Sequence, residues 1–181
     1  KKNGVAIGAH PSFNDRDGFG RRVIRGDSMA DIEKMVAYQI GALQAIATMA
    51  GHKVTHVKPH GSLGNLAAAE DDFAMAVGRA IKAVDPRLVY VVMPGLASHR
   101  AADKLGLPLV REIFADRAIE DNGHLVSRKK PGAMIHDPEI AADRMVRAVQ
   151  ERMIMSAGGK QVAVEPESIC VHSDTPAAIA I

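Results

Sequence analysis

The chain has 181 residues, 47% of them hydrophobic and 24% charged, which suits a single α/β domain spanning residues 1–181 with a substantial core. Aromatic residues make up only 3%, with no Trp, and the net charge of +2 comes from scattered basic residues; this excludes a base-stacking platform and a nucleic-acid-binding stripe. A single Cys excludes an internal disulfide and no apolar run reaches the about 20 residues of a membrane span, so the expected compartment is the cytoplasm.

In chain order, Lys1 to Gly4 reads as the last turn of a helix. The apolar run Val5 to Ala9 reads as a strand that stops abruptly at His10-Pro11. Phe13 to Asp27 is a long loop. Its Asn14-Asp15-Arg16-Asp17-Gly18 resembles the opening of a calcium loop but lacks the closing glutamate, which favours a plain polar turn. Ser28 predicts an N-cap with Asp31 as its capping-box partner, and Ile32, Met35, Val36, Ile40, Leu43 and Ile46 define the apolar face of a helix that Gly51 ends. Thr55 to Lys58 reads as a strand running into Pro59-His60. Phe73, Val77, Ile81 and Val84 mark a helix stopped by Asp85-Pro86.

Leu88 to Met93 and Leu109 to Phe114 read as further strands, the second leading to Asp116-Arg117. Ala118 to His136 is a second long loop, and its Arg128-Lys129-Lys130 reads as solvated. Asp137-Pro138, cap then first-turn proline, opens a helix with Ala142, Met145, Val146, Val149 and Met153 on its apolar face. Gly158-Gly159-Lys160 lacks the spacing of a phosphate loop. Ser168 to Val171, with Cys170 as a packing residue, is a strand leading to His172 and Asp174, and Pro176 to Ile181 reads as the start of a helix.

Strands alternating with helices, several of them nearly continuous in Val, Ile and Leu, argue for parallel strands with right-handed crossovers. The incomplete terminal helices suggest part of a larger barrel or open sheet. In parallel α/β folds the loops after the strands' C-terminal ends share one face. His10, Lys58, His60, Asp116, Arg117 and His172 all occupy such positions, so they are expected to converge on one rim. Two chemistries suit the set. Neutral imidazoles such as His10 and His60 can hold a divalent metal ion that activates water. Alternatively the His and Asp side chains move protons while Lys58 and Arg117 stabilise an oxyanion or phosphate.

The segments "NGVAIGAHPSFNDRDGFGRR", "YQIGAL", "HVKPHGSLGN", "FADR" and "CVHSD", in this order, resemble the LamB/YcsF family. The resemblance implies a seven-stranded, TIM-like (β/α) barrel of the glycoside hydrolase/deacetylase type. It also implies ATP-dependent opening of 5-oxoproline to glutamate, in a complex with B and C subunits. It puts His10, Lys58, His60, Asp116, Arg117 and His172 in the active cleft. Two expected strands, an Asp-Leu-Asn-x-Asp-x-Gly-Glu and a Cys-Gly-x-His-x-Gly-Asp segment, are not in this sequence, nor is the closing helix. Gly64 and Ser173 replace a common Tyr and Gly. Two other readings stay open: a metal-dependent deacetylase or amidohydrolase acting alone, and a regulatory subunit that binds a small acid.

Overall fold

The computed structural model describes residues 3–175 and 178–181. Residues 1, 2, 176 and 177, and with them parts of the two expected terminal helical segments, lie outside the described residues. The chain packs as two compact units, Lys1–Val92 with Ala97–Leu109, and Met93–Leu96 with Val110–Ile181.

The first unit runs β1 (Ile7–Ala9), α1 (Met29–Met49), β2 (Val54–Val57), α2 (Gly61–Ala69), α3 (Asp71–Val84), β3 (Val89–Val92) and α4 (Ala97–Leu105). Its strands pair in parallel, β1 with β2 and β2 with β3, as the alternation of strands and helices predicts. Gly8 stands opposite His56, Ala9 opposite Val57, and Val57 opposite Tyr90. Because side chains alternate across a strand, Ala9, Val57 and Tyr90 go into the core, all fully buried. Gly8 and His56 take the other face. The core also includes Phe13 and Phe73, edge to face at 6.4 Å.

The Ser28 hydroxyl accepts from the Asp31 amide (3.2 Å) and donates to its carboxylate (2.7 Å), forming the expected cap of α1. Ile32, Val36 and Ile40 are buried as predicted, but Ile46 is 63% exposed and Ala47 is buried instead. Six residues past Ile40 turns a side chain about 120° away, whereas seven bring it back. Two helices went unanticipated. α2 starts directly on the strand-end motif and carries two glycines, and α4 buries Ala97, Ser98, Ala101 and Ala102, too small to signal a face. α3 packs against α1, α2 and α4 through its own small residues. A Cβ on Gly78 would sit 2.5 Å from the Leu105 side chain of α4, which would have to shift to admit it.

The second unit contains β4 (Leu109–Phe114), α5 (Pro138–Glu151), β5 (Met153–Met155), β6 (Gln161–Ala163) and β7 (Ser168–Cys170). β4 and β7 are parallel, Phe114 opposite Cys170. β5 and β6 form an unanticipated antiparallel hairpin whose turn is Gly158-Gly159-Lys160, closed by Ser156 N–H to Lys160 O at 2.8 Å. Met153 therefore belongs to a strand, not to the helix face; Arg152, left-handed at φ 56°, ends α5 before it. Asp137 caps α5 and Pro138 opens it, as expected. The buried stripe is Ala141, Met145 and Ala148, however, while Val146 and Val149 are more than half exposed. The predicted stripe was offset because pattern reading ranks valine above alanine, whereas close packing took the smaller side chain. The 118–136 loop is tied down by bridges Arg117 to Met134 and Ile119 to Leu125. No helix among the described residues is long and apolar enough to cross a membrane.

Candidate active-site clusters

Beyond β1 and β2 the parallel ladder continues: Lys58 N–H donates to Ala9 O (2.9 Å) and His60 N–H to Pro11 O (2.8 Å). The two chain segments thus leave their strands side by side, and this brings His10 and His60 together. His60 Nδ1 lies 2.9 Å from His10 Nε2, with the rings edge to face at 4.7 Å. His60 Nε2 stands 2.7 Å from the Phe19 carbonyl. A carbonyl only accepts, so His60 Nε2 carries the proton, and in the neutral ring its Nδ1 accepts from His10 Nε2–H. The carbonyl thereby orders both tautomers.

Phe19 holds that carbonyl in place from a left-handed conformation (φ 53°), a costly backbone state for a bulky residue. Its ring packs edge-on against His60 at 5.1 Å. The surrounding loop is anchored from two sides. Gln39 of α1 accepts from Ser12 N–H (3.0 Å) and donates to Ser12 O (2.8 Å). Ser62 of α2 donates its hydroxyl proton to Arg22 O (2.6 Å) and its backbone N–H to Gly20 O (2.9 Å). Between them opens a cleft of about 740 Å³ lined by His10, Ser12, Asn14, Phe19, Tyr38 and His60, among others.

Asp15, in the calcium-like segment, is buried and spends its carboxylate on the Arg22 guanidinium, on Gly18 N–H (3.0 Å) and on Arg22 N–H (3.1 Å). The Arg22 side chain foremost holds its pKa below the usual carboxylate value, against the effect of burial. It is a structural turn, as the missing glutamate suggests.

The metal reading of His10 and His60 can be tested on this geometry. A shared metal needs two lone pairs directed at a third point, but here the facing nitrogens are spent on one another. Among the described residues no three His, Cys, Asp or Glu side chains group as ligands. The pair as arranged does not fit a resident metal ion.

In the second unit, Ala115 N–H donates to Cys170 O (3.0 Å), extending the β4–β7 ladder and setting Asp116 beside His172. Asp116 is fully buried. Its oxygens lie 2.9 and 3.0 Å from His172 Nδ1, and it accepts from Thr175 Oγ1 (3.0 Å) and more weakly from His172 N–H (3.3 Å). Burial pushes its pKa up, but the His172 ring, its charge and the Thr175 hydroxyl outweigh that and hold it at about 2. The Phe114 ring stacks on His172 at 5.5 Å.

Arg117 is buried, and its guanidinium donates to Val126 O (2.6 Å) and Ala133 O (3.4 Å), holding the 118–136 loop. Arg144 reaches in from α5 to Phe114 O (2.9 Å), and burial lowers its pKa against the pull of Asp116. Asp174 is exposed. The structure therefore pairs His10 with His60 in one unit, and Asp116 with His172 in the other. Lys58 stands next to His10 across the ladder. Gln39, Phe19, Thr175 and Arg144 escaped the sequence reading. Phe19, inside "NGVAIGAHPSFNDRDGFGRR", Gln39, inside "YQIGAL", and Thr175, three residues after His172, lay in or near a recognised segment; Arg144 did not.

A model of the LamB/YcsF family matches residues 1–181. The A subunit of 5-oxoprolinase from Rhodopseudomonas palustris is 55% identical over 181 residues, covering 100% of this chain and 71% of that protein. Its counterpart from Nitrobacter hamburgensis is 54% identical with the same coverage. Among solved structures, a lactam utilization protein from Thermus thermophilus matches with a TM-score of 0.89 at 43% identity, covering 99% of this chain and 72% of that one.

Proposed function

The chain belongs to the LamB/YcsF family, and from that premise we propose that it is a component of an ATP-dependent 5-oxoprolinase, opening the lactam of 5-oxo-L-proline to L-glutamate. The observation that carries this is 55% identity over the whole chain to the A subunit of a 5-oxoprolinase. Chemistry supports it: a lactam is a resonance-stabilised amide whose small ring resists hydrolysis, so coupling to ATP supplies the driving force. In this reading the partners are the B and C subunits, and ATP is bound at one of them or at its interface with this chain. The Gly-Gly-Lys segment is no candidate for it, because it turns a hairpin.

The ordered His10–His60 pair handles protons in the cleft, and the Lys58 ammonium faces negative charge building on the lactam oxygen or on a phosphoryl group. The Asp116–His172 pair is a second proton-handling group, its carboxylate kept ionised by its donors. Arg117 acts as a positioning residue for the 118–136 loop. The finer fold reading, a seven-stranded TIM-like barrel to which this chain contributes, is supported by the parallel pairings and the structural likeness. A cytoplasmic location belongs to the same reading.

The test is turnover of 5-oxoproline with ATP by the full-length protein, with and without its partner subunits. Glutamate formation only by the assembly is expected; an assembly that leaves 5-oxoproline intact defeats the reading. Within that assay His60→Ala should lower turnover at least about a hundredfold without loss of fold by circular dichroism. An unchanged rate removes His60 from the mechanism.

A further inference from the structure

His56 precedes the strand-end motif and belongs to neither proton-handling pair. Residues two apart on a strand share a face, and Gly8 pairs with His56. His56 in β2 and Lys58 in the continuation of its ladder therefore lie on the same side as Gly8 in β1 and His10 just beyond it, opposite the buried Ala9 and Val57.

The local hydrogen bonds order the His56 ring. Thr55 Oγ1 lies 3.2 Å from Ile7 O and 2.9 Å from His56 Nδ1. The hydroxyl has one proton. Given to Nδ1, it would leave two oxygens facing each other at 3.2 Å with nothing between them. Given to the Ile7 carbonyl, it leaves Oγ1 free to accept from His56 Nδ1–H, and both contacts are satisfied. Nδ1 then carries the ring proton and Nε2 keeps a lone pair, with no hydrogen-bond partner among the described residues.

Space for this is made on the neighbouring strand. A Cβ on Gly8 would lie 2.1 Å from Nε2, so the half-buried ring lies across β1 only because residue 8 has no side chain. The facing nitrogens of the His10–His60 pair, by contrast, are committed to each other.

We infer that His56 is the general base of the lactam opening: Thr55 pins its Nδ1–H, and its Nε2 accepts the proton of the attacking water on the face shared with Lys58 and His10. This rests on the 5-oxoprolinase reading above. A water lone pair forms the new C–O bond at the lactam carbon, and the water proton passes to Nε2. The carbonyl π pair retreats to oxygen, opposite the Lys58 ammonium. The oxyanion pair then re-forms the carbonyl as the C–N bond breaks, the imidazolium returns the proton to the departing nitrogen and His56 ends neutral, with ATP hydrolysis in the same assembly supplying the driving force.

Two measurements on the full-length protein decide it. Long-range proton–nitrogen NMR at neutral pH should show His56 as the Nδ1–H tautomer, and Thr55→Val should shift it toward Nε2–H; an Nε2–H ring in the wild type overturns the inference. In the assembly, His56→Gln should lower kcat about a hundredfold to ten-thousandfold with little change in KM. Added imidazoles should restore activity to His56→Ala in proportion to their basicity, a response that mere cavity filling does not give. Undiminished kcat in both variants also overturns it. If wild-type assembly fails to open 5-oxoproline, the functional reading falls, and the tautomer spectrum still decides the geometry by itself.

Discussion

Asp116 draws its acidity from neighbours contributed by a different strand, 56 residues away. Its pKa of about 2 lies below the ordinary 3.8. A depressed carboxylate contributes its full stabilisation above its unfolded value and loses it as pH falls through the folded one. That contribution, on the order of 2 kcal/mol, should therefore be complete above about pH 4 and disappear toward pH 2. Thr175→Val removes one donor, so it should raise the pKa of Asp116 and shift the acid limb of urea-unfolding stability to higher pH. An acid limb identical to wild type would show that Thr175 contributes nothing to the carboxylate. His10, His60, Asp116 and His172 were legible as candidates because an ionisable residue at the end of an apolar run has few other reasons to be there. Arg117 was legible as a position but not as a role. Its buried guanidinium and loop-carbonyl acceptors follow from how the 118–136 loop folds back, which no local pattern encodes.

At the level of elements, glycines at two positions predict opposite outcomes. Gly61, at the start of α2, has φ +58°, and a Cβ there would meet the Gly20 carbonyl at 2.4 Å. Both strain and collision oppose a side chain, so Gly61→Ala should lower stability by about 1–3 kcal/mol and loosen the loop that holds Phe19. Gly41 lies inside α1 with open space around it. Gly41→Ala should raise stability by about 0.5–1 kcal/mol through helix propensity and a less flexible unfolded chain. Thermal unfolding of the two variants checks both signs; equal shifts would refute the steric argument. The parallel strands and helices α1, α3 and α5 were legible because large apolar residues mark them all, with caps on α1 and α5 and a proline stop after α3. α2, α4 and the true face of α5 were not, because alanine and glycine signal little until a neighbour packs against them.

For the whole molecule, the proposed ATP coupling implies a stoichiometry. In the assembly, each 5-oxoproline opened should release one ADP, measured by parallel glutamate and ADP assays, and glutamate formed without ADP would end that part of the proposal. The chain covers 71% of the length of its Rhodopseudomonas palustris relative, so these assays call for the full-length protein. By itself the sequence determined the α/β class, the parallel strands and the polar strand ends, because strand periodicity, caps and breakers act over a few residues. Only the tertiary structure decided which ring nitrogens face each other, which carboxylate stays ionised and which arginine donates to loop carbonyls. Those properties depend on hydrogen-bond partners tens of residues away, and a ring's tautomer or a carboxylate's acidity has no value until its partners are in place.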